Sequence, residues 1–235
     1  MTVTELPTAA AARKSAEVRA QGVADVGPLR IEDMIALYRS ILRALPDSTS
    51  RCIEVISANP GEGVSTTARG IVEAAAAVGN ARVLLCDATP NMDEFKHFGV
   101  KYGGASLNDV AAGKAQLDRA VEPVPAKSFM LCALTDPGAG AHVAVDVDVL
   151  DPAFDAVRTH FDMVVIDAPP LNRGILGPAL TKKADGVIMV VEAERTRVPV
   201  VTEGQRVIEI NGGKLLGVVL NKRRFHVPAF IYRWI

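Results

Sequence analysis

The chain of 235 residues has few aromatic residues, no long hydrophobic run and almost no net charge. Aromatic side chains make up 5% of the residues and all hydrophobic side chains 49%, which favours parallel strands covered by Ala-rich helices over an aromatic-rich β-sandwich. A net charge of −1 gives no overall field that would steer the chain to nucleic acid or to an anionic membrane. No apolar run approaches the ~20 residues of a spanning helix, and the N-terminus has no signal-peptide segment. We therefore expect a soluble, cytoplasmic protein that binds no nucleic acid.

The cysteines and histidines form no pattern that is typical of a metal site or a disulfide. Cys52, Cys86 and Cys132 each fall within a predicted core strand, so we expect them to be buried and reduced. The four histidines are scattered along the chain without the spacing of metal ligands. The sequence therefore assigns no chemistry to either residue type.

The length and the hydrophobic pattern predict one folded domain over residues 29–221, between a flexible tail (1–28) and a basic-aromatic segment (222–235). An amphipathic helix is predicted over Ile31–Leu45, and strands then alternate with helices. The predicted strands are Cys52–Ser57, Arg82–Asp87, Phe129–Leu134, Met163–Asp167, Val187–Glu192 and Leu215–Asn221. The predicted helices after the first strand are Ser65–Val78, Leu107–Ala112, Leu150–His160, Ile175–Lys183 and Pro199–Ile210. This order predicts an α/β fold with three layers, in which helices cover both faces of a mainly parallel sheet.

The residues from Arg51 to Arg69 (RCIEVISANPGEGVSTTAR) combine a strand, a glycine loop and the start of a helix. Gly61 and Gly63 allow backbone N–H groups to turn inward around an anion, and the positive end of the following helix adds to the attraction. The hydroxyl of Ser65 is placed to bind Mg²⁺, and Thr66 is placed to contact an α-phosphate. The alternative is an ordinary strand-to-helix turn that Ser and Thr cap.

One position of this loop lacks the residue that the pattern requires. In a working phosphate-binding loop a lysine follows the last glycine and reaches the β- and γ-phosphates, whereas this chain has Val64 there. We expect backbone N–H groups and Mg²⁺ to hold ATP or ADP weakly, without fast phosphoryl transfer. Rescue by a substitute cation is the alternative, with Arg39, Arg43, Lys101 or an arginine from a partner as candidates.

Polar residues end three of the predicted strands, and ligands of open parallel sheets bind beyond the carboxyl ends of the strands. Asp87 and Asp167 are predicted catalytic residues and, together with Ser65, predicted ligands of Mg²⁺. For Asp87, capping of the following turn is an equally good interpretation. Asn221 is placed to contact a nucleotide base. The predicted nucleotide-binding residues are Gly61, Glu62, Gly63, Val64, Ser65, Thr66 and Asn221.

Taken together, six segments resemble the bacterial tyrosine kinase family. They are SANPGEGVST, VLLCDATP, GASLNDVAAG, FDMVVIDAPPL, KKADGVIMVVEAERT and LLGVVLNKRR, within residues 37–224. The resemblance implies a P-loop NTPase fold, which cell-division and plasmid-partition ATPases share, with ATP or ADP and Mg²⁺ as ligands and with self-association. Members of this family are cytoplasmic ATPase partners of membrane polysaccharide chain-length (co-polymerase) proteins. The resemblance therefore also implies such a partner, at the inner face of the membrane, and a role in exopolysaccharide or capsule-type polysaccharide synthesis and export.

The chain departs from this family at positions that support phosphoryl transfer. The loop lysine is Val64, and the signature lysine of partition ATPases would fall at Asn59. Asp87 is followed by Ala-Thr, where active kinases usually have Asp-x-Asp, and of the three tyrosines only Tyr232 lies near the C-terminus, where active members carry a tyrosine cluster. We therefore expect a degenerate regulator, a pseudokinase. An active protein-tyrosine autokinase or ATPase with a substitute cation is the alternative, and a partition-type positioning ATPase is disfavoured.

The final segment, residues 222–235 (KRRFHVPAFIYRWI), interleaves basic and aromatic side chains. Such a segment suits a membrane surface or the cytoplasmic helix of a partner. Packing of the aromatic rings on the sheet edge is an equally good interpretation, and the resemblance favours docking slightly.

Overall fold

The structure is a computed structural model, and it describes residues 30–46, 48–79, 81–137 and 147–223. The predicted tail (1–28) lies outside these ranges, and so does the basic-aromatic segment beyond Arg223. The predictions made for those two segments therefore stay predictions.

The described ranges contain the alternating helices and strands that the hydrophobic pattern predicts. The strands are β1 (Arg51–Ser57), β2 (Val83–Asp87), β3 (Val121–Pro123), β4 (Met130–Ala133), β5 (Met163–Asp167), β6 (Gly186–Glu192) and β7 (Leu215–Asn221). The α-helices are α1 (Ile31–Ala44), α2 (Val64–Gly79), α3 (Asp93–Phe98), α4 (Leu107–Ala111), α5 (Leu117–Ala120), α6 (Asp151–His160), α7 (Leu176–Leu180) and α8 (Val198–Ile210). Short 3₁₀ turns, Val147–Leu150 and Thr181–Lys183, precede α6 and follow α7.

These strands form one sheet in the order β3-β4-β2-β5-β1-β6-β7. The pairs from β4 to β7 are parallel, whereas β3 pairs with β4 in the antiparallel sense. The predicted mainly parallel α/β architecture is confirmed.

Of the four short elements between β2 and β4, three (α3, α5 and β3) were not predicted. Strand β3 has three residues, ends at Pro123 and lies at the sheet edge. Short edge strands with proline lack the continuous apolar run that marks a buried strand. Helices α3 and α5 have six and four residues, too few for a helical period to be visible. Helix α4 was predicted, and it begins with a capping box between Ser106 and Asp109.

The core consists of two apolar layers, one on each face of the sheet. Helices α1 and α2 cover one face, where Ile53 and Val55 of β1 are fully buried. Helices α6, α7 and α8 cover the other face, on which Cys52 and Ile56 of the same strand lie. The alternation along β1 follows from the two-residue period of a strand. The predicted apolar stripe of α1 is confirmed, because Met34 and its helical neighbours are buried against α2.

The register of the strands brings polar side chains together at one edge of the sheet. Asp87, the last residue of β2, lies directly opposite Asp167, the last residue of β5. Asp167 in turn lies opposite Val55 of β1, two residues before the end of that strand. The glycine loop therefore begins beside both aspartates, as the sequence predicts.

Within the described ranges, no helix has both the length and the apolar character that crossing a membrane requires.

Candidate functional site

The glycine loop has a conformation that requires glycine at two positions. Gly61 has a φ of +81° and Gly63 a φ of +104°, both in the region that side chains with a Cβ rarely adopt. A Cβ at Gly63 would lie 1.9 Å from Nδ2 of Asn221. Helix α2 begins directly after the loop, at Val64, so its unpaired N–H groups face the same space. This conformation is that of an anion-binding loop.

The carboxylate of Glu62 holds the loop from behind. It is 2% exposed and accepts hydrogen bonds from the backbone N–H of Asn59 (3.0 Å) and from Asn59 Nδ2 (3.2 Å). It also accepts a hydrogen bond from the hydroxyl of Thr196, on the connection between β6 and α8. Glu62, a predicted nucleotide-binding residue, thus directs its side chain to the protein, away from the inner face of the loop.

The end of β7 supports the loop from the same side. Asn221 Nδ2 donates to the carbonyl of Glu62 (2.9 Å), while Asn221 Oδ1 accepts from the backbone N–H of Lys222 (2.8 Å). The ammonium of Lys222 donates to the carbonyl of Gly61 and lies 3.3 Å from Glu192 Oε2. Asn221, predicted to contact the base, therefore uses Nδ2 to hold the loop and Oδ1 to hold the backbone of Lys222.

A cavity of about 440 Å³ opens in front of the glycine loop. It extends from the loop across the ends of β2 and β4 to the turn that follows β5. Five predicted site residues line it, namely Gly61, Gly63, Val64, Ser65 and Asp167. The other four, Glu62, Thr66, Asp87 and Asn221, do not line it.

Asp167 lies fully buried at the floor of this cavity. Neither oxygen of its carboxylate accepts a hydrogen bond within the described part of the chain. Burial raises the pKa of Asp167, the nearby hydroxyl of Ser65 opposes that rise, and the charge of Asp87 adds to it. An unsatisfied carboxylate at this depth costs free energy unless a cation or a proton compensates it.

Asp87 differs from Asp167, because its own loop satisfies it. One oxygen accepts from the backbone N–H (2.9 Å) and the hydroxyl (2.6 Å) of Thr89. The other accepts from the backbone N–H of Glu94 (2.9 Å). Burial raises the pKa of Asp87, and these hydrogen bonds oppose the rise. Both interpretations of Asp87 stay open, since it caps the turn yet also faces Asp167.

Sequence reasoning missed two charged residues behind the cavity. Glu94 is 1% exposed, and Arg69 places its Nε 3.7 Å from Glu94 Oε2 and 3.1 Å from the carbonyl of Ser65. Burial and the charge of Asp167 raise the pKa of Glu94, whereas Arg69 lowers it. In the sequence Glu94 is simply one of two acidic residues at the start of a short helix, so no local signal marks it as buried.

Val64 occupies the position of the absent lysine and is 8% exposed. It packs in the core cluster under α2 and also borders the cavity. The predicted substitute cations, Arg39, Arg43 and Lys101, are not among the residues that line the cavity. Among the described residues the cationic side chain that does line it is Arg173, which the sequence analysis did not consider.

The residues at the cavity floor fit Mg²⁺ bound together with a phosphate. Among the described residues, no three or more His, Cys, Asp and Glu side chains form a group that could hold a metal on their own. Mg²⁺, however, commonly takes one or two protein oxygens and completes its shell with phosphate and water. Asp167 has unsatisfied oxygens, and the hydroxyl of Ser65 is its neighbour.

Comparison with known proteins finds similarity to tyrosine-protein kinases. The chain is 24% identical over 180 residues to the tyrosine-protein kinase CpsD of Streptococcus pneumoniae, a match that covers 77% of this chain and 79% of that protein. It is 25% identical over 197 residues to the tyrosine-protein kinase YwqD of Bacillus subtilis, covering 83% and 82% of the two chains. No family model matches the chain. The resemblance to bacterial tyrosine kinases is confirmed by these relatives.

Solved structures with a similar fold include kinase domains. The chimerical protein CapA2B2 aligns with a TM-score of 0.70 at 23% identity, over 90% of this chain and 91% of that one. The kinase domain of the Escherichia coli tyrosine kinase ETK aligns with a TM-score of 0.68 at 16% identity, over 85% and 79%. The septum site-determining protein MinD of Pyrococcus horikoshii, solved with Mg-ADP, aligns with a TM-score of 0.54 at 20% identity, over 78% and 76%. These neighbours confirm the predicted P-loop NTPase fold.

Proposed function

We propose that this chain is a degenerate tyrosine-kinase-like protein that binds a nucleotide as a conformational ligand and transfers phosphate inefficiently. Its role is to regulate the synthesis and export of an exopolysaccharide or capsule-type polysaccharide, through a membrane co-polymerase (chain-length) partner. The observation that carries the proposal is the combination of an intact glycine loop with Val64 at the lysine position.

The inner face of the loop supplies the phosphate contacts. Backbone N–H groups at Gly61, Gly63 and the start of α2 would bind the phosphates. Thr66, which is exposed in the first turn but does not line the cavity, would contact the α-phosphate. Mg²⁺, when bound with the nucleotide, neutralises charge on the phosphates. Ser65 and Asp167 would hold it, with Asp87 directly opposite Asp167.

The missing lysine explains why phosphoryl transfer would be inefficient. A lysine about 4 Å from a phosphate oxygen contributes roughly 4 kcal/mol of attraction at an effective dielectric of 20. A group that stabilises the charge developing in the transition state typically increases the reaction rate about 10²- to 10³-fold. Val64 supplies neither, and its apolar side chain borders the space that the phosphates would enter.

The partner and the location are inferred from the similar proteins. The two relatives described above are named tyrosine-protein kinases, and the resemblance of residues 37–224 to that family implies a co-polymerase at the inner face of the membrane. Self-association of the chain is part of the same proposal.

Two measurements test this function. Purified protein incubated with labelled ATP and Mg²⁺ should incorporate no detectable label, because the loop lysine that would accelerate the transfer is absent. Incorporation that disappears in both Asp87→Ala and Asp167→Ala would instead support an active autokinase. The chain should also co-purify with the cytoplasmic segment of a co-polymerase from the same organism, and failure of that binding would contradict the regulatory role.

The names of the relatives favour one alternative, an active protein-tyrosine autokinase or ATPase that uses a substitute cation. The labelling experiment separates an autokinase from the regulator, and release of labelled inorganic phosphate separates an ATPase from it.

A further inference from the structure

The turn after β5 brings a cation to the cavity in front of the glycine loop. Arg173 lines the same cavity as Val64, Ser65 and Asp167. It lies on the connection between β5 and α7, six residues after Asp167.

Hydrogen bonds attach this turn to the glycine loop. The backbone N–H of Leu171 donates to the carbonyl of Ser57, the last residue of β1 (2.8 Å). Nδ2 of Asn172 donates to Oδ1 of Asn59, within the loop (3.1 Å). Arg173 follows directly, so its position relative to the loop is set by two contacts from the preceding residues.

The turn itself has a defined conformation. The backbone N–H of Arg173 donates to the carbonyl of Pro170 (2.9 Å), which closes a turn. The next residue, Gly174, has a φ of +119°, which lets the chain leave the turn towards α7. Arg173 is therefore presented from an ordered turn.

The other cations near the loop are already engaged. Lys222 binds the carbonyl of Gly61 and Glu192 from behind. Arg69 contacts Glu94 and the carbonyl of Ser65. The guanidinium of Arg173, by contrast, makes no hydrogen bond or ion pair with any residue in ranges 30–46, 48–79, 81–137 and 147–223.

The charges that line the cavity make this arginine decisive for an anionic ligand. Asp93, Asp136 and Asp167 also line the cavity, so among the described lining residues three acidic groups accompany one basic group. A polyphosphate would meet net negative charge in front of the loop unless Mg²⁺ and a cationic side chain compensate it. A guanidinium suits this task because its planar donors bind phosphate oxygens in pairs.

We propose that Arg173 replaces the missing loop lysine as the cation that binds the terminal phosphate of a nucleoside triphosphate. This inference rests on the proposed nucleotide-binding function and adds to it the residue that distinguishes a triphosphate from a diphosphate. Arg173 reaches the phosphate from the turn after β5, and the absent lysine would have reached it from the first position of α2. This chain and an ordinary phosphate-binding loop would therefore bind the phosphates with the same backbone N–H groups, but their cations would approach from different elements.

Calorimetric titration with Mg-ATP and with Mg-ADP tests this assignment. Arg173→Gln should weaken Mg-ATP binding about tenfold or more, because a charge-assisted contact is lost, and should change Mg-ADP binding less. Arg206→Gln is the matched control, because it removes the same charge from an exposed pair with Glu203 on α8. That control should leave both affinities unchanged.

A double variant tests whether a cation at position 64 can replace the cation at position 173. Val64→Lys combined with Arg173→Gln should bind Mg-ATP more tightly than Arg173→Gln alone, because the loop then has a lysine at its usual place. Equal Mg-ATP affinities for wild type and Arg173→Gln would overturn the assignment, as would an equal loss for both nucleotides.

The outcomes separate this inference from the proposed function. Wild-type protein that binds neither nucleotide would overturn the role of Arg173, while the co-polymerase experiment would still decide the regulatory role. Label incorporation from ATP would overturn the pseudokinase function, while the Arg173 variants would still decide which cation binds the phosphate.

Discussion

The glycine loop has a back, which other residues of the chain support, and a front, which faces the cavity. The two sides differ in how their polar groups are satisfied. At the back, the side chains of Glu62, Asn221 and Lys222 bind the backbone of the loop or its supporting connections. At the front, both oxygens of Asp167 and the guanidinium of Arg173 have no partner among the described residues.

This difference shows which part of the site depends on a ligand. The back gives the loop its shape through contacts within the chain, so the cradle can persist without a lysine and without a nucleotide. The front has a buried carboxyl without a hydrogen-bond partner and an exposed arginine without an ion-pair partner among the described residues, and a phosphate bound with a cation would engage both. Loss of the lysine therefore removes charge from the front and leaves the supports at the back in place.

The most damaging change should be one that disturbs the back directly. Gly63→Ala should lower the free energy of unfolding by about 3 kcal/mol, because it combines a strained positive φ with displacement of the Asn221 side chain. Urea unfolding measures this. Gly61→Ala is the matched control, since its φ is +81° but no atom lies within 4 Å of the added Cβ. It should cost only about 1 kcal/mol. Equal losses for the two variants would show that Asn221 does not support the loop.

Removal of the central acceptor at the back should have the next largest effect. Glu62→Gln should cost about 2 kcal/mol, because a buried carboxylate that serves Asn59 and Thr196 becomes an amide that cannot accept from all of them. Glu203→Gln, at an exposed ion pair on α8, should cost less than about 0.5 kcal/mol in the same assay. A loss for Glu62→Gln no larger than that of the control would contradict the account of the back.

Glu54 is a second buried carboxyl that lacks hydrogen-bond partners in the described part of the chain, and it can be compared with Asp167 because it lies away from the cavity. Glu54 in β1 is fully buried, and neither of its oxygens has a partner among the described residues. Burial raises the pKa of Glu54 well above its usual value, so the folded state holds its proton at a pH where the unfolded chain has lost it. Stability should therefore fall as the pH rises above the unfolded pKa, by at most about 1.4 kcal/mol per pH unit.

The variant Glu54→Gln isolates this contribution. Unfolding of wild type and variant at pH 5 and pH 8 should show that the variant gains stability relative to wild type at the higher pH. A difference that stays constant, or that changes in the opposite direction, would show that Glu54 is not protonated in the folded state.

The smallest effect on stability is expected for Lys222, the partly exposed residue among those that support the back of the loop. Lys222→Gln removes a partly exposed ammonium from Gly61 and Glu192, which should cost about 0.5 kcal/mol. Arg195→Gln removes another partner of Glu192 that does not contact the loop. If the back positions the loop, Lys222→Gln should weaken nucleotide binding in the titration and Arg195→Gln should not; the reverse order would contradict this.

The sequence predicted the parts of the fold that local patterns determine. Strands β1 and β5 are buried, near-continuous apolar runs, and both were located to within one residue. The conformation of Gly61 and Gly63 followed from the spacing of the glycines. Strand β3 was missed because three residues at an edge carry no period.

The charges of the site were harder to predict, because they depend on tertiary contacts. Asn221 was predicted to lie at the strand end, but only the fold shows that it binds the carbonyl of Glu62. Glu94 and Arg69 meet across two helices that are separate in the sequence. Arg173 lies in a turn with no motif, and its relevance comes from the cavity that it shares with Val64.

The central claim is that a nucleotide cradle has kept its shape after losing the lysine at its front. Calorimetric titration of wild type and Val64→Lys with Mg-ATP tests it most directly. We predict that both bind, and that the restored lysine increases the affinity about tenfold or more, because the back already holds the loop in its binding conformation. Equal and tight binding by the two proteins would contradict the claim, and so would a Val64→Lys protein that folds but does not bind Mg-ATP.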